Sequence, residues 1–121
     1  MKLLRCFSLL LLLFGVAQVV AAQNHSVTLT WNLPTDAVAS STYNVYRASG
    51  ACPVSGLGTL TWAKINTAGI AALTYSDSGV PVGSYCYYAT QVQNGTESLP
   101  SNTAPALVRP NTVTITITLV V

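Results

Sequence analysis

The chain has 121 residues, of which half are hydrophobic and only 7% are charged, and its formal net charge is +2. Lys2 and Arg5 account for this surplus, so the rest of the chain is neutral. A neutral chain without a basic stripe cannot hold a phosphate backbone well, which excludes nucleic acid as the expected partner. Attraction of a partner by net charge is excluded for the same reason.

The first 22 residues have the pattern of a secretory signal peptide. Lys2 and Arg5 precede an almost unbroken apolar run from Phe7 to Val20, and the small residues Ala21 and Ala22 follow it. We predict cleavage after Ala22, because the run is shorter than the roughly 20 residues that a membrane-spanning helix needs. The alternative is an uncleaved anchor. The expected protein is secreted, whether extracellular, on the cell surface or periplasmic, with no stable membrane insertion after cleavage.

Two cysteines, Cys52 and Cys86, remain after the signal is removed. Removing 22 of 121 residues leaves 99, which suffices for one small domain. An oxidising compartment permits a Cys52–Cys86 disulfide, which would close a loop of about 34 residues and stabilise the fold by roughly 3 to 4 kcal/mol. The alternatives are two reduced thiols or a metal pair, but no His or carboxylate lies near either cysteine in the sequence. We therefore predict a disulfide and no metal site.

Alternation of apolar and polar residues with period two recurs along the rest of the chain, and this predicts an all-β fold. The Asn94-Gly95 dipeptide predicts a tight hairpin turn, whereas the Gly-, Ser- and Pro-rich stretch from Ser49 to Gly58 predicts a loop. Short strands separated by such turns are typical of a two-sheet antiparallel β-sandwich. The predicted strands are Val27–Trp31, Tyr43–Tyr46, Leu60–Ile65, Leu73–Tyr75, Tyr85–Val92 and Ala104–Arg109.

Four segments resemble the fibronectin type III domains, especially the short forms of exported bacterial proteins. The segments are Ser26–Trp31 with Pro34, Tyr43–Arg47, Tyr75–Tyr88 and Glu97–Asn102. They are similar to the second strand, the third strand, the fifth to sixth strands and the lead into the last strand. The resemblance implies a fibronectin type III or immunoglobulin-like domain over residues 23–110, with Trp31 in its core. It also implies that Tyr85 is a corner tyrosine whose hydroxyl bonds an upstream backbone group.

The sequence departs from this family at both ends. Only Gln23, Asn24 and His25 remain where the family has its first strand, and residues 111–121 add a β-forming segment after its last one. The simplest expectation is that this tail folds back antiparallel on the strand ending near Arg109. The alternative is that it covers the edge left vacant by the missing first strand, in the same or a neighbouring molecule.

The residue types needed for catalysis are scarce. His25 is the only histidine and is expected to be flexible and solvated. The carboxylates Asp36, Asp77 and Glu97 are expected in three different turns, with Asp77 bonding backbone amides as a turn former. We therefore predict no catalytic residues, no cofactor and no enzyme.

Tyr46, Trp62 and Tyr88 form the candidate binding surface. Period two places Tyr46 and Tyr88 on the outward face of neighbouring strands, beside the outward Cys86, and we expect an exposed aromatic strip there. Such a strip suits sugar rings or a protein partner. The alternative, which we favour, is that these rings only stabilise the sheet through cross-strand pairing.

These observations together predict a secreted, non-enzymatic β-sandwich module for protein or glycan binding, adhesion or spacing. One alternative is a structural protein that self-associates through its open sheet edge and its C-terminal strand. The other is an accessory carbohydrate-binding module that uses the aromatic strip. The fold class alone does not select a ligand.

Overall fold

A computed structural model describes residues 24–121, so the predicted signal peptide lies outside the described residues. The described part is all-β, as predicted, and contains no helix long and apolar enough to span a membrane. Its strands are β1 (Ser26–Trp31), β2 (Thr42–Ser49), β3 (Ala63–Lys64), β4 (Thr74–Ser78), β5 (Gly83–Gln93), β6 (Thr96–Glu97), β7 (Ala104–Val108) and β8 (Thr114–Leu119).

The strands form two sheets. The first sheet has the order β4-β1-β8, and in it β1 pairs antiparallel with β4. The second sheet has the order β3-β2-β5-β6, and β7 also pairs with β5. The turn between β5 and β6 is the predicted hairpin, with Asn94 at φ 49° and Gly95 at φ 76°. Positive φ at both central residues matches the right-handed twist of the flanking strands.

One hydrophobic core lies between the two sheets. Val27, Leu29 and Trp31 of β1 point into it from the first sheet, and Tyr43 and Val45 of β2 from the second. The Trp31 and Tyr43 ring centroids are 5.3 Å apart, so side chains of the two sheets are in direct contact. The arrangement is compatible with a β-sandwich, and the predicted core position of Trp31 is confirmed.

The tail pairs differently from the simplest expectation. Instead of folding back on β7, β8 runs parallel to β1, with Ser26 opposite Thr114 and Trp31 opposite Leu119. The alternative expectation, that the tail covers the vacant edge, is confirmed within one molecule. The physical reason is burial, because this position places Ile117 and Leu119 in the shared core. All other strand pairs are antiparallel.

The expectation that His25 is solvated is wrong. Its side chain is buried, and its Nδ1 atom is hydrogen-bonded to the carbonyl oxygen of Thr112. The carbonyl of His25 in turn accepts a bond from the N–H of Val80 at 3.0 Å. The His25–Thr112 bond therefore connects the residue before β1 to the segment that leads into β8.

The outer face of the first sheet carries only hydroxyl side chains. The strand registers place them in three rows, each running across β4, β1 and β8. The rows are Ser78, Ser26 and Thr114, then Ser76, Thr28 and Thr116, then Thr74, Thr30 and Thr118. This face therefore has no charged side chain.

Candidate functional site

A disulfide-tethered loop covers the outer face of the second sheet. Cys52 and Cys86 are bonded as predicted, with their Cα atoms 5.0 Å apart. Cys86 lies on β5 and is fully buried although its side chain points away from the core. The loop from Gly50 to Trp62 therefore shields the middle of β5 from solvent.

The predicted aromatic residues do come together, with Trp62 at the end of this loop in contact with Tyr88 of β5. The Tyr46 and Tyr88 rings are stacked with centroids 4.6 Å apart, and the Trp62 ring meets Tyr88 edge-on at 4.8 Å. The expected exposure of Tyr88 is wrong, because only 7% of the residue is accessible. Trp62 is itself fixed by a 3.1 Å bond from its indole N–H to the carbonyl of Leu57. The packing favours the alternative, a stabilising aromatic cluster.

Glu97 gathers three hydrogen bonds beside this cluster. Its Oε1 atom accepts bonds from the Tyr46 hydroxyl and the Thr90 hydroxyl, each at 2.5 Å, and from the Asn44 amide at 3.4 Å. The bonds from Thr90 and Tyr46 lower the pKa of Glu97, so the carboxylate stays ionised. Burial, followed by the bond to Glu97, raises the pKa of Tyr46 to about 12.

A polar cleft of about 290 Å³ lies at the hairpin end of the second sheet. The loop after β1 supplies one wall and the hairpin joining β5 to β6 supplies the other. The residues that line it all have polar side chains. They are Asp36, Gln91, Gln93, Asn94, Thr96 and Glu97, together with Ser98.

Hydrogen bonds fix the walls of this cleft relative to each other. The Gln93 side-chain amide donates to the backbone carbonyl of Asp36 at 2.7 Å, which joins the loop to β5. Gln91 is only 5% exposed, and its amide donates to the Ser41 hydroxyl at 3.1 Å. The cleft is therefore held open by the fold before any ligand arrives. Sequence reasoning identified its Asn94-Gly95 turn but not the cleft, since Asp36 and Gln93 are far apart in the chain.

Asp77 is not the turn former that the sequence suggested. It lies within β4, is buried, and accepts bonds from the Arg47 guanidinium at 2.7 Å and the Tyr87 hydroxyl at 2.8 Å. Burial and the bond to Asp77 raise the pKa of Tyr87. These contacts join β4 of the first sheet to β2 and β5 of the second.

Tyr85 lies in the core and packs against Arg47. Its ring is buried and lies under the Arg47 guanidinium, 5.5 Å from ring centroid to Cζ. Among the hydrogen bonds of residues 24–121, none joins the Tyr85 hydroxyl to a backbone group. The Arg47 side chain lies over this ring, and its guanidinium forms the ion pair with Asp77.

The described residues include no group of three or more His, Cys, Asp or Glu side chains placed to hold a metal ion. Comparison of the sequence with protein-family models and with curated proteins finds no match.

Proposed function

We propose that this chain is a secreted, non-enzymatic module of the fibronectin type III kind that binds a protein or glycan partner, for adhesion or as a spacer. The strand pairing supports the fold type. The segments that resemble the family's second and fifth strands, β1 and β4, pair in one sheet. Those that resemble its third and sixth strands, β2 and β5, pair in the other.

The disulfide supports export. Such bonds form and persist in oxidising compartments, so the Cys52–Cys86 bond is compatible with an extracellular location. The state of the acidic groups supports a non-enzymatic role. Asp77 is held by Arg47 and Tyr87, and the Oε1 atom of Glu97 by three donors, so both carboxylates serve structural contacts.

The polar cleft carries the proposal of binding. It is concave, its walls are fixed by the Gln93–Asp36 and Gln91–Ser41 bonds, and it presents donors and acceptors that a polar ligand can use. Preorganised polar groups in a concavity favour binding because little conformational entropy is lost when the ligand arrives.

Binding of the purified exported protein to a glycan array and to immobilised extracellular proteins tests this proposal. Thr96→Lys places a long charged side chain in the cleft and is expected to weaken binding by about tenfold or more. Thr59→Lys makes the same change on the exposed disulfide-tethered loop and serves as the matched control. Equal binding by both variants would remove the cleft from consideration. Loss of binding by a Tyr88→Ala variant that still folds, as judged by circular dichroism, together with unchanged binding by Thr96→Lys, would favour the aromatic cluster.

A further inference from the structure

We propose that the open edge of β8 pairs with β8 of a second copy of the chain, which joins two three-stranded sheets into one. β8 ends the order β4-β1-β8, and among the described residues no strand pairs with its second edge. Because β8 already fills the vacant place beside β1, it is fixed and extended before a partner arrives.

The register identifies which backbone groups face this open edge. The N–H of Ser26 donates to the carbonyl of Val113 at 3.1 Å, and the Thr30 hydroxyl reaches the carbonyl of Ile117 at 3.4 Å. Odd-numbered residues of β8 therefore direct their backbone groups towards β1. Since backbone groups alternate along a strand, those of Thr114, Thr116 and Thr118 point to the open edge.

The other sheet edges carry features that discourage pairing, whereas no such feature lies within β8 itself; among the described residues, the one side-chain contact on that side is made after its end, where Asn102 accepts the N–H of Val120 at 2.7 Å. β3 and β6 are each two residues long, β3 includes Lys64, β7 contains Pro105, and β4 ends one residue before Gly79, which has a positive φ of 69°. Short length, lysine and proline are the usual means by which edge strands avoid association. β8 has six residues, none of them charged and none of them proline.

A two-fold axis at Thr116 satisfies this edge completely. Thr116 then lies opposite its own copy and Thr114 opposite Thr118 of the second copy, which gives about six backbone hydrogen bonds. On the outer face, the pairing aligns threonines with threonines, a favourable cross-strand combination. On the inner face, the half-buried Ile115 meets Ile117 of the second copy and loses further contact with water.

Charge does not oppose this contact. The outer face of the first sheet is free of charged side chains, and residues 24–121 contain three cations and three carboxylates, which sum to zero. Two copies therefore approach without net electrostatic repulsion, a condition that favours association.

Sedimentation of the purified exported protein from about 1 µM to about 1 mM tests the proposal, with a reversible monomer–dimer equilibrium as the expected result. Thr116→Pro removes an outward N–H without removing a bond to β1, and Thr116→Lys adds a charge at the edge. Each is expected to raise the Kd by about tenfold or more. The Lys variant decides the question if the Pro variant does not fold, as judged by circular dichroism.

Ser76→Lys is the matched control, because Ser76 occupies the same row of the same face on the opposite edge strand, β4. Its Kd is expected to stay within about threefold of that of the unmodified protein. A protein that remains monomeric at about 1 mM would overturn the proposal. An equal weakening by Ser76→Lys and Thr116→Lys would also overturn it, since association would not then depend on the β8 edge.

Discussion

The Arg47 guanidinium on β2 and the Asp77 carboxylate on β4 form an ion pair of 2.7 Å that connects the two sheets. The carboxylate also accepts the Tyr87 hydroxyl, so two donors depend on one buried group. A buried donor left without its acceptor costs more free energy than the bond contributes.

Asp77→Asn is accordingly expected to lower the free energy of unfolding by about 1 to 3 kcal/mol, the range for weakening hydrogen bonds to a buried charged group. Urea denaturation measures the change. Asp36→Asn removes an exposed carboxylate and should stay within about 0.5 kcal/mol. Equal stabilities of the two variants would show that the ion pair contributes nothing.

Tyr43 and Tyr87 form a matched pair of buried phenols with opposite expected responses. The Tyr43 hydroxyl is buried and has no hydrogen-bond partner among residues 24–121, whereas the Tyr87 hydroxyl is bonded to Asp77. Tyr43→Phe should be neutral or raise the free energy of unfolding by up to about 1 kcal/mol, and Tyr87→Phe should lower it by about 1 kcal/mol. A destabilising Tyr43→Phe would reveal a partner for that hydroxyl.

Removal of the disulfide by a Cys52→Ala and Cys86→Ala double substitution is expected to lower the free energy of unfolding by about 3 to 4 kcal/mol. The cause is the larger conformational freedom of the unfolded chain. Reductant should destabilise the unmodified protein and leave the double variant unchanged, which provides the control. Detection of two free thiols in the denatured, unreduced protein would contradict the prediction.

Hydrogen exchange on β8 should alternate in the monomer. The amides of Ile115, Ile117 and Leu119 point towards β1 and should be protected, while those of Thr114, Thr116 and Thr118 should exchange quickly. Nuclear magnetic resonance of a dilute sample resolves the two sets. Uniformly fast exchange would exclude the β1–β8 pairing, and protection of the threonine set only at high concentration would accompany the proposed dimer.

Stability should fall in alkaline solution because of Tyr46. Its pKa is about 12 in the folded state against 10.0 ordinarily. The neutral phenol therefore stabilises the folded state fully below pH 10, and this contribution is lost as the pH rises towards 12. The urea midpoint of the unmodified protein should decline over this interval, and Tyr46→Phe should decline less. Identical profiles would show that the Tyr46–Glu97 bond does not affect stability.

The sequence determined the parts of the fold that depend on neighbouring residues. Alternation predicted all-β structure and located β1, β2, β5 and β7, since period two is a local property of the chain. The Asn94-Gly95 turn followed from the φ angles that these residues tolerate. The Cys52–Cys86 disulfide was predictable because only two cysteines remain after the signal peptide and because the predicted compartment is oxidising.

The tertiary structure decided which edge and which face each segment uses. Alternation gives the tail an apolar side, but only the vacancy beside β1 determines that Ile117 and Leu119 are buried there. The same alternation cannot distinguish an outward residue in water from one under a loop, which is why Tyr88 was expected to be exposed. Contacts such as Asp77 with Arg47, and His25 with Thr112, join residues distant in sequence, and packing of the whole chain brings them together.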